Sequence, residues 1–388
     1  MILDTSAGPC GPAQPSDRQA GRSPLFAPSI AGNRSRQCPG RGAAEARSRR
    51  CAVHRDERPW AMARRSPAVT EAGGSTASTP HVPVMATEVV EVIQAGPPGP
   101  VLDATVGAGG HAQAILEAAP HLSVIGIDRD ADALAEAGTA LARFGDRVVL
   151  RRARFDALIT VVHDLGGGPL SGVVFDLGVS SMQLDRAERG FSYHGHGPLD
   201  MRMDRAQDLT AAHVVNTYDV ERLAGVFSRY GDERFARRVA TAVVAARPLD
   251  STTILATVVR DAIPAATRRQ GPHPARRVFQ ALRVEVNSEL AVLPGAIDSA
   301  VSLLAPGGRI AVLSYHSGED RIVKSRLAAA ASGGCTCPPR LPCVCGAQPL
   351  VRLLRRTARR PAAEEIASNP RARSARLRAA ERLNVVVD

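Results

Sequence analysis

The chain has 388 residues, 44% of them hydrophobic, and its 49 basic and 38 acidic side chains leave a formal charge of +11. That much apolar material excludes a wholly disordered chain and allows two or three domains of ordinary size. The charge belongs to the ends, with +6 over residues 1–80 and +7 over residues 340–388, so the stretch between them is slightly acidic at −2.

Residues 1–80 hold seven Leu, Ile, Val or Phe among nine Pro and eight Gly. This is too little apolar surface to offset the entropy of ordering a chain, and a disordered extension is expected. Met62, followed by Ala-Arg-Arg-Ser, offers a translation start that would remove most of it. A basic RNA-binding arm is the competing reading.

From residue 101 short apolar runs alternate with helical periodicity. Val101-Leu102-Asp103 runs into a glycine turn; Val124-Ile125-Gly126-Ile127-Asp128, Val148-Val149-Leu150 and Val173-Val174-Phe175-Asp176-Leu177 follow, with helix formers over 112–119 and 130–144. Apolar runs joined by helical crossovers mean a parallel sheet covered on both faces. Residues 81–189 are therefore expected to open a doubly wound α/β domain.

Over 190–280 the strand signal disappears. Val220, Leu223, Phe227 and Tyr230 form one helical stripe stopped by Gly231, Phe235, Val239, Ala242 and Val243 a second, and Ile254, Leu255, Val258 and Val259 a third, with Ser251 and Thr252 as cap candidates. An all-helical insertion that serves substrate recognition is expected here, splitting the α/β domain. A long periodic stretch through Val278, Leu282, Val286, Leu290, Leu293 and Ile297 then leads to Pro306-Gly307-Gly308, and 310–313 reads as a strand returning to the sheet. Residues 281–330 thus read as the second part of the α/β domain, and 331–388 as a cysteine-containing loop and a basic C-terminal segment.

The turn Asp103-Ala-Thr105-Val-Gly107-Ala-Gly109-Gly110-His111 places glycines where a strand becomes a helix. Such a turn lets backbone N–H groups approach a ligand closely. Asp128 ends the second strand at the spacing where a carboxylate accepts both hydroxyls of a ribose. The spacing is not G-x-G-x-x-G, and acids stand at two further strand ends, Asp103 and Asp176. A site with several acids suits the sulfonium and amino group of S-adenosylmethionine better than the pyrophosphate of NAD. Phe155 is placed to stack on adenine, or simply to fill the core.

Seven segments, in order, resemble one family. They are His81-Val-Pro-Val-Met85, the turn from Asp103 to His111, Asp176-Leu-Gly-Val-Ser-Ser-Met-Gln-Leu184, Arg189-Gly-Phe-Ser192, Gly197-Pro-Leu-Asp-Met-Arg-Met-Asp204, Ser314-Tyr-His-Ser-Gly-Glu-Asp-Arg321 and Asn369-Pro-Arg-Ala-Arg-Ser374. Together they are similar to the ribosomal RNA small-subunit methyltransferase H family over about residues 81–384. The resemblance implies a class I (Rossmann-like) methyltransferase fold with a helical insertion, S-adenosylmethionine as cofactor, and N4-methylation of a cytidine in the decoding region of 16S rRNA. It implies Gly109, Gly110 and His111 at the methionine end of the cofactor, Asp128 on the ribose, Phe155 beside the adenine, and Asp176 and Gln183 closing the pocket. Met182 and Gly318 depart from the family pattern, where Pro and Leu are common; the first bears on the turn after Ser181, the second on the His316 loop.

Methylation of an exocyclic amine needs the amine held in line and an acceptor for one of its hydrogens. Asp176, or backbone carbonyls of the loop from Asp176 to Ser181, stand beside the cofactor in this topology. No Cys lies between Cys51 and Cys335, which disfavours a ring-carbon mechanism with a Cys nucleophile. His316 and Arg321, beyond the last strand of the sheet, are candidate substrate contacts with Ser181, against the plainer reading of a solvated helix start. Cys335, Cys337, Cys343 and Cys345 form a C-x-C pair repeated once, which leaves zinc, reduced thiols and a disulfide all open, and no residue is assigned to a metal. Arginines over 352–360 and 371–382 are the candidate rRNA contacts, although Lys324 is the only lysine and the Arg skew reads as codon bias. The small ribosomal subunit or its precursor is the expected partner, in the cytoplasm and without a membrane, with monomer and homodimer both open. The rivals are an amino-methyltransferase acting on DNA or another RNA, and a non-catalytic RNA-binding assembly factor.

Overall fold

The computed structural model describes residues 83–268, 273–338 and 344–384. The extension over 1–80, Met62, His81 and Cys343 lie outside the described residues. In chain order the first elements are α1 (Ala86–Ile93), β1 (Pro100–Asp103), α2 (Gly110–Ala118), β2 (Ser123–Asp128), α3 (Ala131–Leu141), β3 (Val148–Arg152), α4 (Leu158–Asp164) and β4 (Leu170–Asp176). Helices then follow one another: α5 (Ser181–Asp185), α6 (Ala211–Thr217), α7 (Val220–Gly231), α8 (Ala236–Ala245), α9 (Thr252–Ala262), α10 (Ala265–Arg268), α11 (Ala275–Asn287) and α12 (Glu289–Leu303). The last elements are β5 (Leu304–Ser314), α13 (Ser317–Ser332), β6 (Val351–Leu353), α14 (Ala363–Ser368) and β7 (Arg376–Arg382).

The described strands form one sheet in the order β3-β2-β1-β4-β5-β7-β6. The first five run parallel, and β7 runs antiparallel to both β5 and β6. This is the class I methyltransferase arrangement expected from the sequence. Because successive side chains of a strand point to opposite faces, Leu102, Ile125 and Val173 pack with α4, α12 and α13, while Val101, Val124 and Val174 pack with α1, α2 and α3. The chain reverses its direction of travel across the sheet between β1 and β4, so a crevice opens outside their carboxyl ends.

A second core joins α6 to α9 and α11. It buries Leu223 and Phe227 of α7, Val239 and Val243 of α8, Leu255 and Val259 of α9, and Val278, Phe279 and Leu282 of α11. Ser251 caps α9 by accepting the Ile254 N–H, and Asp219 caps α7 by accepting the Arg222 N–H. Three polar ties hold this module over the carboxyl edge of the sheet. Arg129, after β2, donates to the Asn287 carbonyl at 2.9 Å and to Gln207 at 2.6 Å; Arg152 meets Asp204 at 2.6 Å; Ser317 donates to Asp232 at 2.6 Å.

The periodic stretch from Val278 to Ile297 forms two helices, because Ser288 adopts φ 53°, ending α11 and starting α12. The Asn287 side chain holds that break by accepting the Met203 N–H and donating to the Met201 carbonyl. The expected boundary at 280 consequently falls inside α11, whose Ala281, Leu282 and Val286 still pack in the helical core. The C-terminal segment is likewise more than a loop and a basic tail, because β7 inserts between β5 and β6. No helix among the described residues is long and apolar enough to cross a membrane.

Candidate active site

Three carboxylates end β1, β2 and β4 at the carboxyl edge. Asp103 is 1% exposed; its Oδ1 accepts the Thr105 N–H at 3.2 Å, while Oδ2 is buried without a hydrogen bond. Burial pushes its carboxyl up to about 7, against the opposing pull of the neighbouring His111 ring and the Thr105 N–H. Asp128 accepts the Gly107 N–H at 3.0 Å and the Asp130 N–H at 2.9 Å, and burial raises its carboxyl also. Each oxygen of Asp128 keeps a second lone pair for a ligand.

Asp176 has 28% of its side chain exposed, against 1% for Asp103. Its Oδ1 accepts the Tyr315 hydroxyl at 2.6 Å, its Oδ2 lies 3.5 Å from His111 Nδ1, and its own N–H donates to Thr105. His111 Nε2 lies 2.9 Å from the Val84 carbonyl, which can only accept, so this nitrogen carries the hydrogen. Burial and the adjacent Asp176 carboxylate push the Tyr315 hydroxyl well above its ordinary range. Tyr315 therefore stays protonated and donates. Gly109 takes φ 91° at the start of α2, a conformation that favours glycine, and its neighbour Gly110 packs against Pro83. Gly107, at φ 53°, faces open space, since a Cβ there would meet only the Thr105 carbonyl at 3.9 Å.

His316 caps α13. Its Nδ1 accepts the Gly318 and Glu319 N–H groups. Glu319 Oε1 lies 3.0 Å from its Nε2, within ion-pair distance. Glu319 in turn accepts the N–H groups of Tyr315 and His316 and lies 3.5 Å from Arg283, which is itself fixed by Glu289 at 2.9 Å. Burial pushes the Glu319 carboxyl up, but His316, Arg283 and the Tyr315 N–H outweigh it and hold the group below the usual carboxylate range. A helix does start here with the His316 ring as its cap, but it is not the solvated start of the plainer reading, because Glu319 and Asp320 are buried. Gly318 sits tightly there, because a Cβ would lie 3.1 Å from the His316 ring.

Gln183 lies buried on α5. Its Oε1 accepts the Ser180 N–H and its Nε2 donates to Asp130 at 2.8 Å, so both ends of the amide are engaged by the protein. Ser181 opens α5, in the same short loop after β4. Phe155 packs edge-on to Phe175, with ring centroids 6.0 Å apart, beyond the end of β3. Arg321 is exposed on α13, one turn past the cap. The structure thus brings Gly109, Gly110, His111, Asp128 and Asp176 to one edge, with His316 on the next strand's end.

The C-terminal arginines are largely spoken for. Arg376 and Arg378 clamp Asp320, Arg352 meets Glu381, Arg359 meets Glu88 and Glu91, and Arg371 meets Asp185. Arg355, Arg356, Arg360 and Arg373 are exposed and form no ion pair among the described residues.

Residues 78–383 match the model of the MraW methylase family. The chain belongs to that family. It is 49% identical over 308 residues to the Ribosomal RNA small subunit methyltransferase H of Symbiobacterium thermophilum, aligning 78% of this chain with 96% of that protein. It is 52% identical over 309 residues to the protein of that name from Thermobifida fusca, across 78% and 93% of the two chains. A third of the same name, from Frankia alni, is 52% identical over 310 residues, across 78% and 95%.

Several residues of the site have no role assigned from sequence. Asp103 carried a signal, an acid at a strand end before a glycine turn, and Tyr315 directly follows the last residue of β5. Arg189 lies in one of the seven family segments, but its pairing with Asp130, which gives both residues their place, spans 59 residues and has no local pattern.

Proposed function

We propose that this protein transfers a methyl group from S-adenosylmethionine to the exocyclic N4 of a cytidine in the decoding region of 16S rRNA. It acts in the cytoplasm on the small ribosomal subunit or its precursor. The names of its curated relatives support the substrate class. The observation that carries the cofactor reading is the buried Asp103 oxygen without a hydrogen bond, at the switch point of the sheet. A buried carboxylate of this kind invites a cationic partner, and S-adenosylmethionine has two positive groups.

When bound, the cofactor supplies an electrophilic methyl group on a sulfonium. Asp103, His111 and the turn around Gly107 hold its methionine end, Asp128 accepts the ribose hydroxyls, and Phe155 lies against the base. Methylation of the exocyclic amine would require one of its protons to leave the nitrogen. Asp176 takes a hydrogen of that amine, and the Tyr315 hydroxyl keeps its carboxylate aimed. His316, Ser181 and Arg321 contact the nucleotide, and the helical module over the carboxyl edge receives the surrounding RNA. The test is to map N4-methylcytidine in small-subunit rRNA from cells that contain the protein, lack it, or carry Asp176→Asn. One such mark disappears in the second and falls sharply in the third; if none disappears without the protein, the proposal is overturned.

A further inference from the structure

The connection from α13 to β6 has no core of its own. None of its described residues over 333–350 is buried, yet its two limbs are held side by side. Gly333 ends α13 at φ 62° directly against the Gln348 backbone, and the Leu350 N–H donates to the Ala330 carbonyl at 2.8 Å. Three thiols meet where the limbs run together: the sulfurs of Cys335, Cys337 and Cys345 all lie within 4.8 Å of one another. Cysteine acting as a small apolar group is among the most buried residue types, whereas Cys345 is exposed and the other two are only half-buried.

We propose that Cys335, Cys337 and Cys345 bind zinc as thiolates, and that the metal takes the place of a hydrophobic core in this loop. A zinc–sulfur distance of about 2.3 Å sets tetrahedral sulfurs roughly 3.8 Å apart, which the observed cluster meets with small adjustments. Soft thiolates select zinc over magnesium or calcium. The cluster follows the C-terminus of α13, and the Cys335 N–H donates to the Ser332 carbonyl. The negative end of a helix dipole disfavours three thiolates and favours a cation. Binding displaces the thiol protons and involves no electron transfer. The fourth position is not assigned, and Cys343 lies outside the described residues. A helix the length of α13, 16 residues, spans about 24 Å, so the metal stands far from His316 and holds the fold rather than joining the chemistry. The inference is independent of the function proposed above.

The test is metal analysis of the full chain, purified under reducing conditions from zinc-replete cells. About one equivalent of zinc is expected, falling at least tenfold in Cys345→Ser and in the triple Ser variant. Cobalt added to the metal-free chain should give intense thiolate-to-cobalt charge-transfer absorption, weakened in Cys345→Ser. If the triple variant does not fold, the metal content of the native chain and of Cys345→Ser still decides. Zinc below a tenth of an equivalent, iron with labile sulfide in its place, or alkylation of the denatured chain that finds these thiols joined in a disulfide would each overturn the proposal.

Discussion

Asp103 and Asp130 are two carboxylates of the same edge, 1% and 2% exposed, and they behave as opposites. Asp130 caps α3 through the Asp132 N–H and accepts both Gln183 at 2.8 Å and Arg189 at 2.7 Å. Arg189 is itself 1% exposed and donates further to the Arg202 and Met203 carbonyls. Asp103 has one backbone hydrogen bond and an idle oxygen. Equal burial therefore says nothing of role. A satisfied buried acid braces the fold, whereas one left short of partners is a place for a ligand.

The largest expected effect probes the brace. Arg189→Met leaves the Asp130 carboxylate without its charged partner in the interior and should cost about 3–5 kcal/mol in urea-induced unfolding. A neutral result would remove the distinction between the two acids. Asp103→Asn should act the other way round, leaving stability unchanged or slightly raised while weakening S-adenosylmethionine by about tenfold or more in calorimetry, roughly 1.4 kcal/mol. Equal loss of stability in both variants would show that Asp103 is a second brace.

The pH dependence sharpens the same point. The Asp103 carboxyl titrates at about 7 in the folded chain and at 3.8 in its ordinary state. A group raised in this way stabilises the fold fully below its ordinary value, and that contribution is lost as pH rises through about 7. A cation binds the ionised form, so affinity for the cofactor should rise about tenfold between roughly pH 6 and pH 8. The rise should vanish in Asp103→Asn, and a flat profile in the native chain would detach the cofactor from this group.

The smallest effect extends the comparison to the arginines. Replacing the unpaired Arg355, Arg356, Arg360 and Arg373 with Ala should flatten the salt dependence of rRNA binding by roughly 0.7 in log–log slope for each phosphate that is no longer neutralised. Replacing Arg376 and Arg378, which hold Asp320, should instead lower stability. If the slope responds more to the second pair, ion pairing within the chain is a poor guide to its RNA-facing charge.

Much of the scaffold was legible because its signals are local. The apolar runs ending in Asp103, Asp128 and Asp176, the glycine turn and the Ser251 cap each depend on residues within a few positions of one another, and the strands and helices lie where those patterns put them. The strand β7 was hidden because Arg-Leu-Arg-Ala-Ala-Glu-Arg reads as solvated basic chain; it forms because Leu377 and Ala380 are buried and its arginines find Asp320 more than 50 residues away.

A doubly wound sheet split by helices, the family to which the chain belongs, and the strand ends at which Asp103, Asp128 and Asp176 stand can all be read from the order of the amino acids. Which acid is braced and which is idle, where the periodic stretch is interrupted at Ser288, and how much of the terminal positive charge is already paired emerge only once the chain is folded. Periodicity and turn chemistry are set by neighbours along the chain, whereas the state of a buried charge is set by whichever distant groups the fold brings to it.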